Sequence, residues 1–484
     1  MLTVTRRRFM AGAGCVALGA AGLVGAASAT GPALPQSAEP GAGRTVPLRL
    51  IAAERPQVLP CFGGHTLPMW TLSDATWLPV VRVNLGDRLD VAFENRLPVA
   101  GEHSSIHWHG IRLPNDQDGV PYLVQPPVEP GGSFRYVFTP PDTGTFFFHT
   151  HCNTAEQLGR GLMGILIVEG DAPEPYAADE VVLLRDWRID SDTGGFASFT
   201  TKRGASRAGT YGNVRSGNGA PAAELRLPAS SDCRLRVING DPTRIMEVTV
   251  EGTEAAVIAI DGIAVPPFPL DGWLLAPAMR VDLAVRAPAA GDIAYLIDRR
   301  GEEPLRLAHL IGDGTPRPEA AFEPRPLRAG RIPEPDLAVA EIHAFDFAAG
   351  PGGMPVVDPG LGPAVGSICL ASDDFWTING TAWPGRDHAR IPPPLAVLEL
   401  GSSYRFLLRN LSKIAHPIHI HGHSFKVLGS NRRTLAIHHA DTVLLLPEET
   451  VEVAFVADNP GDWMFHCHVI EHQETGMMAY LRVA

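Results

Sequence analysis

Past Thr30 the sequence has no apolar run of the ~20 residues that a membrane-spanning helix needs. An integral helical membrane protein is excluded on that ground. Charge is also sparse: Asp, Glu, Lys and Arg together make up 19%, and acids outnumber bases 53 to 40 for a net charge of −13. So few cations argue against nucleic acid and anionic membrane surfaces as partners. Histidine is missing from one region in particular. Of 18 histidines only His309 lies between His151 and His343, so any histidine chemistry belongs to the two ends of the chain.

Glycine and proline, in contrast, are plentiful, at 50 and 44 of 484 residues. With 45% hydrophobic residues the chain can bury a sizeable core, and its length suits two to four domains. Short strands joined by many turns fit this composition better than long helices, which gives an all-β fold. The first residues read MLTVTRRRFMAGAGCVALGAAGLVGAASAT. Arg6, Arg7 and Arg8 before Phe9-Met10, a mildly apolar stretch and the small-residue site Ala27-Ser28-Ala29 are expected to form a twin-arginine signal peptide over 1–29. Its partner would be the twin-arginine export machinery, and the mature chain would work in the periplasm or outside the cell. Cys15 would leave with the signal. Cys61, Cys152, Cys233, Cys369 and Cys467 remain, an odd number in an oxidising compartment, so one is a candidate metal ligand or reactive thiol. If that one is Cys467, the other four allow three pairings or none.

The chain repeats itself. VVRVNLGDRLDVAFENRLPVAGEHSSIHWHG at 80–110 reads as strand, Gly-Asp turn, a strand ending in Asn95, then a histidine pair. LAVLELGSSYRFLLRNLSKIAHPIHIHGH at 395–423 has the same order with Asn410, and 224–252 repeats it with Asn239 but without histidine. A second element, at 129–151 and 448–468, also ends in His-x-His, and its middle copy at 276–298 again has none. Repetition of this kind marks stacked copies of one unit. Three β-sandwich units are expected, over 45–172, 173–338 and 339–484, the middle one without metal ligands; the Gly/Pro-rich stretch 350–366 reads as a loop.

Four His-x-His pairs stand in the outer units: His107/His109, His149/His151, His419/His421 and His466/His468. On a strand alternate residues share a face, so each pair offers two imidazoles to one metal cluster. Eight histidines exceed what a single tetrahedral zinc needs. Cys467 points to the face opposite His466 and His468. With His416, His472 and Met477 it makes one thiolate, two imidazoles and a thioether, the soft donor set of a blue-copper electron-transfer site.

These motifs carry a family resemblance over essentially the whole mature chain. HWHG at 107–110, HTH at 149–151, HPIHIHGH at 416–423 and HCHVIEHQETGM at 466–477 resemble the three-domain, laccase-like multicopper oxidases. The resemblance implies three consecutive cupredoxin-like Greek-key β-sandwich domains and four copper ions. Cys467, His416 and His472 would hold the type 1 copper with Met477 as weak axial ligand. His107 and His419 would hold the type 2 copper. His109, His149 and His468 would hold one type 3 copper, and His151, His421 and His466 the other. Small reductants of the phenol type would give electrons singly at Cys467, and His466 and His468 would carry them to the cluster that reduces O2 to water. Asp118 matches the acidic residue that follows HWHG in the family and would serve proton delivery. Many bacterial members carry Glu directly after the second type 1 histidine. Here Gln473 stands there, which puts that proton route in doubt and leaves Glu471, Glu474 or water to serve.

The alternative substrate is a metal ion, Cu(I), Fe(II) or Mn(II), oxidised in periplasmic copper tolerance. Cuprous oxidases of the family often carry methionine-rich segments; this chain has ten Met and no such segment. Copper-less scaffold relatives lose the histidine motifs, which are intact here, and copper nitrite reductases have fewer domains per chain. His423 is expected beside the ligands, and His438 and His439 near the rim of the Cys467 site or at the surface.

Overall fold

A computed structural model describes residues 43–170, 174–315, 321–350, 375–384 and 390–484. The expected signal peptide, Cys369 and the stretch 351–366 lie outside these residues. Strands dominate the described residues, with short α-helices at Thr154–Arg160, Lys202–Ala205 and Ile470–Glu474. No helix among them is long and apolar enough to cross a membrane.

The strands form six sheets, and each sheet takes its strands from one third of the chain. In the first third the sheet order is Leu67–Thr71, Thr45–Gln57, Arg88–Arg96, Ser133–Phe138. Along Arg88–Arg96 the residues Leu89, Val91, Phe93 and Asn95 are buried and their neighbours are not, the alternation of a sheet with one wet face. The second sheet carries His107–His109 at its edge beside Gly144–His149. Both sheets close on one core that includes Phe93, Trp108, Tyr136, Phe148 and Leu166. The last third repeats this with a six-stranded and a five-stranded sheet. In the five-stranded sheet Gly461–Cys467 lies between Met478–Val483 and His416–Ile420. The middle third has six- and five-stranded sheets over Asp179–Asp313 and shares a continuous core with the last third.

The repeated asparagines have one structural job. Asn95 donates from Nδ2 to the carbonyls of Glu102 and Val128, Asn239 to Arg244 and Leu275, and Asn410 to Ile414 and Leu446. In each case Oδ1 accepts the backbone N–H two residues on. A buried amide satisfied at all three positions pins the end of the strand to the loop that follows. In the outer thirds that loop leads directly into the histidine strand.

Several strands are buried on both faces, among them two that lead into histidine pairs. Gly144–His149 and Trp463–Cys467 have no exposed residue, because neighbouring parts of the molecule cover the sheet surface that would otherwise face water. The histidine pairs that end these strands therefore sit in the interior.

Cys61, Cys152, Cys233 and Cys467 are all free thiols. Burial pushes the Cys61 and Cys233 thiols up to about 11 and that of Cys152 up to about 12, which makes them unreactive structural cysteines.

Candidate metal centres

His107–His109 pairs with Gly144–His149 so that His107 lies opposite His149. His416–Ile420 pairs with Gly461–Cys467 so that His419 lies opposite His466 and Ile418 opposite Cys467. Register alone thus brings histidines together within each third, and the two thirds meet along these edges. His107 stacks on His421 with ring centroids 3.8 Å apart, and His109 stacks on His419 at the same distance. All eight histidines of the four pairs are buried.

Their second nitrogens show which way each ring is turned. His107 Nδ1 lies 2.9 Å from the Asp118 carbonyl, His149 Nδ1 2.9 Å from that of Thr150, His419 Nδ1 2.8 Å from that of Asp441, and His466 Nδ1 2.9 Å from that of Cys467. A carbonyl only accepts, so in each ring Nδ1 carries the proton and Nε2 offers a lone pair. His421 donates from Nδ1 to Asp118 Oδ2 at 2.8 Å. His109 is reversed, with Nε2 3.0 Å from Asp441 Oδ1, which leaves Nδ1 as its free nitrogen.

The nitrogens so exposed have no partner in the protein. His107 Nε2, His109 Nδ1, His149 Nε2, His151 Nε2, His419 Nε2 and both nitrogens of His468 are buried without a hydrogen bond. An unsatisfied buried polar atom costs roughly 1–3 kcal/mol, so these seven nitrogens together cost roughly 7–21 kcal/mol. That equals the whole net stability of an ordinary domain, about 5–15 kcal/mol. Protonation cannot relieve it, because burial holds His109, His149, His151, His419, His421 and His468 well below the usual imidazole range. Bound cations relieve it directly. The donor atoms of His151, His421 and His466 lie within 4.8 Å of one another, as do those of His107, His419 and His421, and those of His107, His109 and His149. His468 stands with its ring 5.0 Å from that of His109 and 5.3 Å from that of His149. Its nitrogens fall outside those compact groups of donor atoms.

The second group lies on the other side of the same strand. Cys467 Sγ is 3.6 Å from Nδ1 of both His416 and His472, and those two nitrogens are 3.0 Å apart. His472 donates from Nε2 to the Arg207 carbonyl, and His416 Nε2 meets Ser412 Oγ at 2.9 Å, so both rings turn Nδ1 toward the sulfur. This triangle of one thiol and two imidazoles fits a trigonal soft-metal site. Burial pushes the Cys467 thiol far above its usual range, so a cation is what would make it a thiolate. Met477 is fully buried, and its carbonyl accepts the Cys467 N–H at 3.1 Å.

Around these groups three expectations are sharpened. Asp118 is buried, with Oδ2 on His421 and Oδ1 3.1 Å from His107 Nδ1, whose proton the Asp118 carbonyl takes. It bridges histidines of two different thirds. The following Gly119 has φ +82°, and a Cβ there would lie 1.8 Å from the Ile106 carbonyl. Glu471 accepts from Thr201 N, Thr210 N and Thr210 Oγ. Glu474 accepts from Ala155 N at 2.9 Å and lines, with His151, Glu102 and Cys152, a cleft of about 860 Å³. Gln473 is buried with Oε1 unpartnered. His423 is buried against Trp463 and Phe455, while His438 packs on Trp273 and His439 lies 3.7 Å from Glu334. None of these three joins either group.

Sequence reasoning missed Asp441, whose carboxylate and carbonyl hold two cluster histidines, and the Arg207 carbonyl on His472. Asp441 follows His438-His439, whose imidazoles are the stronger ligand signal in that stretch. Arg207 acts through its backbone and leaves no signal in side-chain patterns.

Two family models described as multicopper oxidase match residues 58–173 and 370–484. The chain is 30% identical to multicopper oxidase MmcO of Mycobacterium tuberculosis, over 96% of this chain and 91% of that protein. It is 26% identical to laccase-2 of Botryotinia fuckeliana, over 86% of this chain and 78% of that one. A multicopper oxidase crystal structure from Pseudomonas thermotolerans superposes with a TM-score of 0.81 at 40% identity, covering 91% of this chain and all of that one. The chain belongs to the multicopper oxidase family, and copper is the metal its histidine groups fit.

Proposed function

We propose that the chain holds four copper ions, as one mononuclear and one trinuclear centre, and oxidises small organic reductants of the phenol type with O2 as acceptor. The observation that carries this reading is the set of buried imidazole nitrogens that the fold turns inward and leaves without partners. His416, Cys467 and His472, with Met477 beside them, would hold the type 1 ion. His107 and His419 would hold the type 2 ion. His109, His149 and His468 would hold one type 3 ion, and His151, His421 and His466 the other. Copper bound in this way supplies one-electron exchange at the first centre and four-electron reduction of dioxygen at the second.

The protein's own part is connection and protection. His466 and His468 flank Cys467 in sequence, so covalent bonds join the two centres. The hydrogen bond from His466 Nδ1 to the Cys467 carbonyl gives a second path. Four reductants each lose one electron, and O2 takes four electrons and four protons to become two waters. Asp118, with a carboxylate oxygen free of other donors, is placed to hold a proton between His107 and His421. The cleft at His151 offers O2 and water a way in, and Glu474 on its wall replaces the acid that Gln473 cannot be.

The reductant does not touch His472 directly. The segment Thr201–Thr210 lies over it through the Arg207 carbonyl, and Trp376, packed on both His416 and His472, donates to the Ala205 carbonyl. The sequence has no methionine-rich segment to offer soft ligands to Cu(I), which supports organic reductants over metal ions. Units over 45–172, 173–338 and 339–484, with export of the folded chain by the twin-arginine machinery to the periplasm or beyond, complete the proposal.

Oxygen uptake by the copper-loaded protein tests it, with a phenol and with Cu(I) or Fe(II) as alternative reductants. Higher kcat/KM on the phenol and four reductants consumed per O2 are expected. A strong preference for the metal ions would overturn the substrate assignment, and no uptake with any reductant would overturn the oxidase.

A further inference from the structure

The middle third has no histidine near either centre, yet one of its side chains reaches the cluster. Arg280, on the strand Arg280–Arg286, is fully buried. It grips Asp441 with both arms, Nη1 to Oδ1 at 2.9 Å and Nη2 to Oδ2 at 2.6 Å. Its other donors go to the carbonyls of Thr145 (3.1 Å), Ala278 (3.1 Å) and Asp261 (2.8 Å). One guanidinium thus ties together all three thirds of the chain.

Asp441 in turn orients two histidines of the trinuclear group. Its Oδ1 takes the proton of His109 Nε2 at 3.0 Å, and its carbonyl takes that of His419 Nδ1 at 2.8 Å. These bonds decide that His109 presents Nδ1 and His419 presents Nε2. Asp261 secures the backbone from below, accepting from Arg280 N at 2.9 Å and from Thr442 N at 3.1 Å. The glycine of HWHG belongs to the same arrangement. Gly110 has φ +84°, and a Cβ on it would lie 2.4 Å from Asp441 Oδ2 and 2.6 Å from Arg280 Nη2. No side chain fits between the histidine strand and this ion pair. The set Asp261, Arg280, Asp441 carries two carboxylates for one guanidinium, all buried.

We propose that Arg280 is a positioning residue of the oxygen-reducing centre, acting through Asp441 to fix the orientation of His109 and His419. The proposal rests on the reading of the histidine group as a copper cluster. It gives the middle third, which has no ligands, a direct part in building that cluster.

The test uses the full copper-loaded protein and Arg280→Gln, with the blue absorption of the Cys467 centre as an internal control. Copper retention against a chelator and the rate of reoxidation by O2 after full reduction are both measured. Arg280→Gln is expected to keep the blue band and its rate of reduction. It should hold cluster copper, or react with O2, about 10- to 100-fold less well. Arg280→Lys keeps the charge but loses the fork and should recover only part of the loss. Should Arg280→Gln fail to fold, Asp441→Asn keeps the shape at 441 and is expected to give the same selective loss. Unchanged copper retention and reoxidation would overturn the proposal, and so would an equal loss at both centres, which marks a merely structural role. Wild-type protein that binds no copper would overturn the underlying oxidase reading as well, an outcome distinct from either.

Discussion

His421 Nε2 and His466 Nε2 face each other at 3.0 Å inside the protein, and neither has a proton to give. His421 spends its Nδ1 proton on Asp118, and His466 spends its own on the Cys467 carbonyl. Two lone pairs at that distance repel unless something positive lies between or beside them. Burial holds His466 down at about 4, so the positive charge is not a proton at neutral pH. Under the proposed function these nitrogens would be ligand atoms that the fold organises in advance of copper.

That organisation sets the acid stability of the copper-free protein. His109, His149, His151, His416, His419, His421 and His468 are held well below the usual imidazole range by burial, and His466 and His472 down at about 4. In the unfolded chain these residues take up protons below about pH 6.5. The unfolded state then binds more protons than the folded one, so stability is complete above about pH 6.5 and is lost as pH falls. Each such histidine contributes about 1.4 kcal/mol per pH unit in that window. Circular dichroism during acid titration should show the copper-free protein unfolding steeply between about pH 6 and 4. Copper loading should move the midpoint lower. A midpoint that copper does not shift would contradict this account.

On the proposed reading Asp118, which touches His107 and His421, serves the oxygen-reducing centre and not Cys467. In Asp118→Asn the blue centre should be reduced by substrate at the wild-type rate. Reoxidation by O2 should slow by about 10- to 100-fold. Stopped-flow absorbance resolves the two half-reactions, and equal slowing of both would speak against the assignment.

Glu471 staples both ends of the segment over His472, through Thr201 and Thr210. Glu471→Gln replaces acceptor oxygen by an amide facing N–H donors, at a cost of about 1–3 kcal/mol. The segment should loosen, so that kcat/KM for the reductant changes while reoxidation by O2 stays as it was. The reverse pattern would make Glu471 a proton carrier instead.

Much of this was legible in the sequence because strands impose a period of two. The opposition of Cys467 to His466 and His468 follows from parity alone, and the structure puts them on opposite sides of the strand, as expected. The repeated Asn95, Asn239 and Asn410 were visible as a pattern, but their common hydrogen bonds were not. Contacts between distant segments were hidden. Nothing local to Arg280 or Asp441 says that they form a buried pair, because 161 residues separate them and neither lies in a ligand motif. The contacts of Glu471 were hidden for a similar reason: its partners Thr201 and Thr210 lie more than 250 residues away. The Arg207 carbonyl on His472 was invisible, since any residue can offer a backbone oxygen.

The most direct test of the central claim is copper content measured together with visible absorption, on the wild-type protein and on Cys467→Ser. About four copper ions per chain and an intense blue band are expected for the wild type. Cys467→Ser should show no blue band, retain the trinuclear copper and lose oxygen uptake with every reductant. A Cys467→Ser protein that still turns over, or a wild type that folds fully and takes up no copper, would contradict that claim.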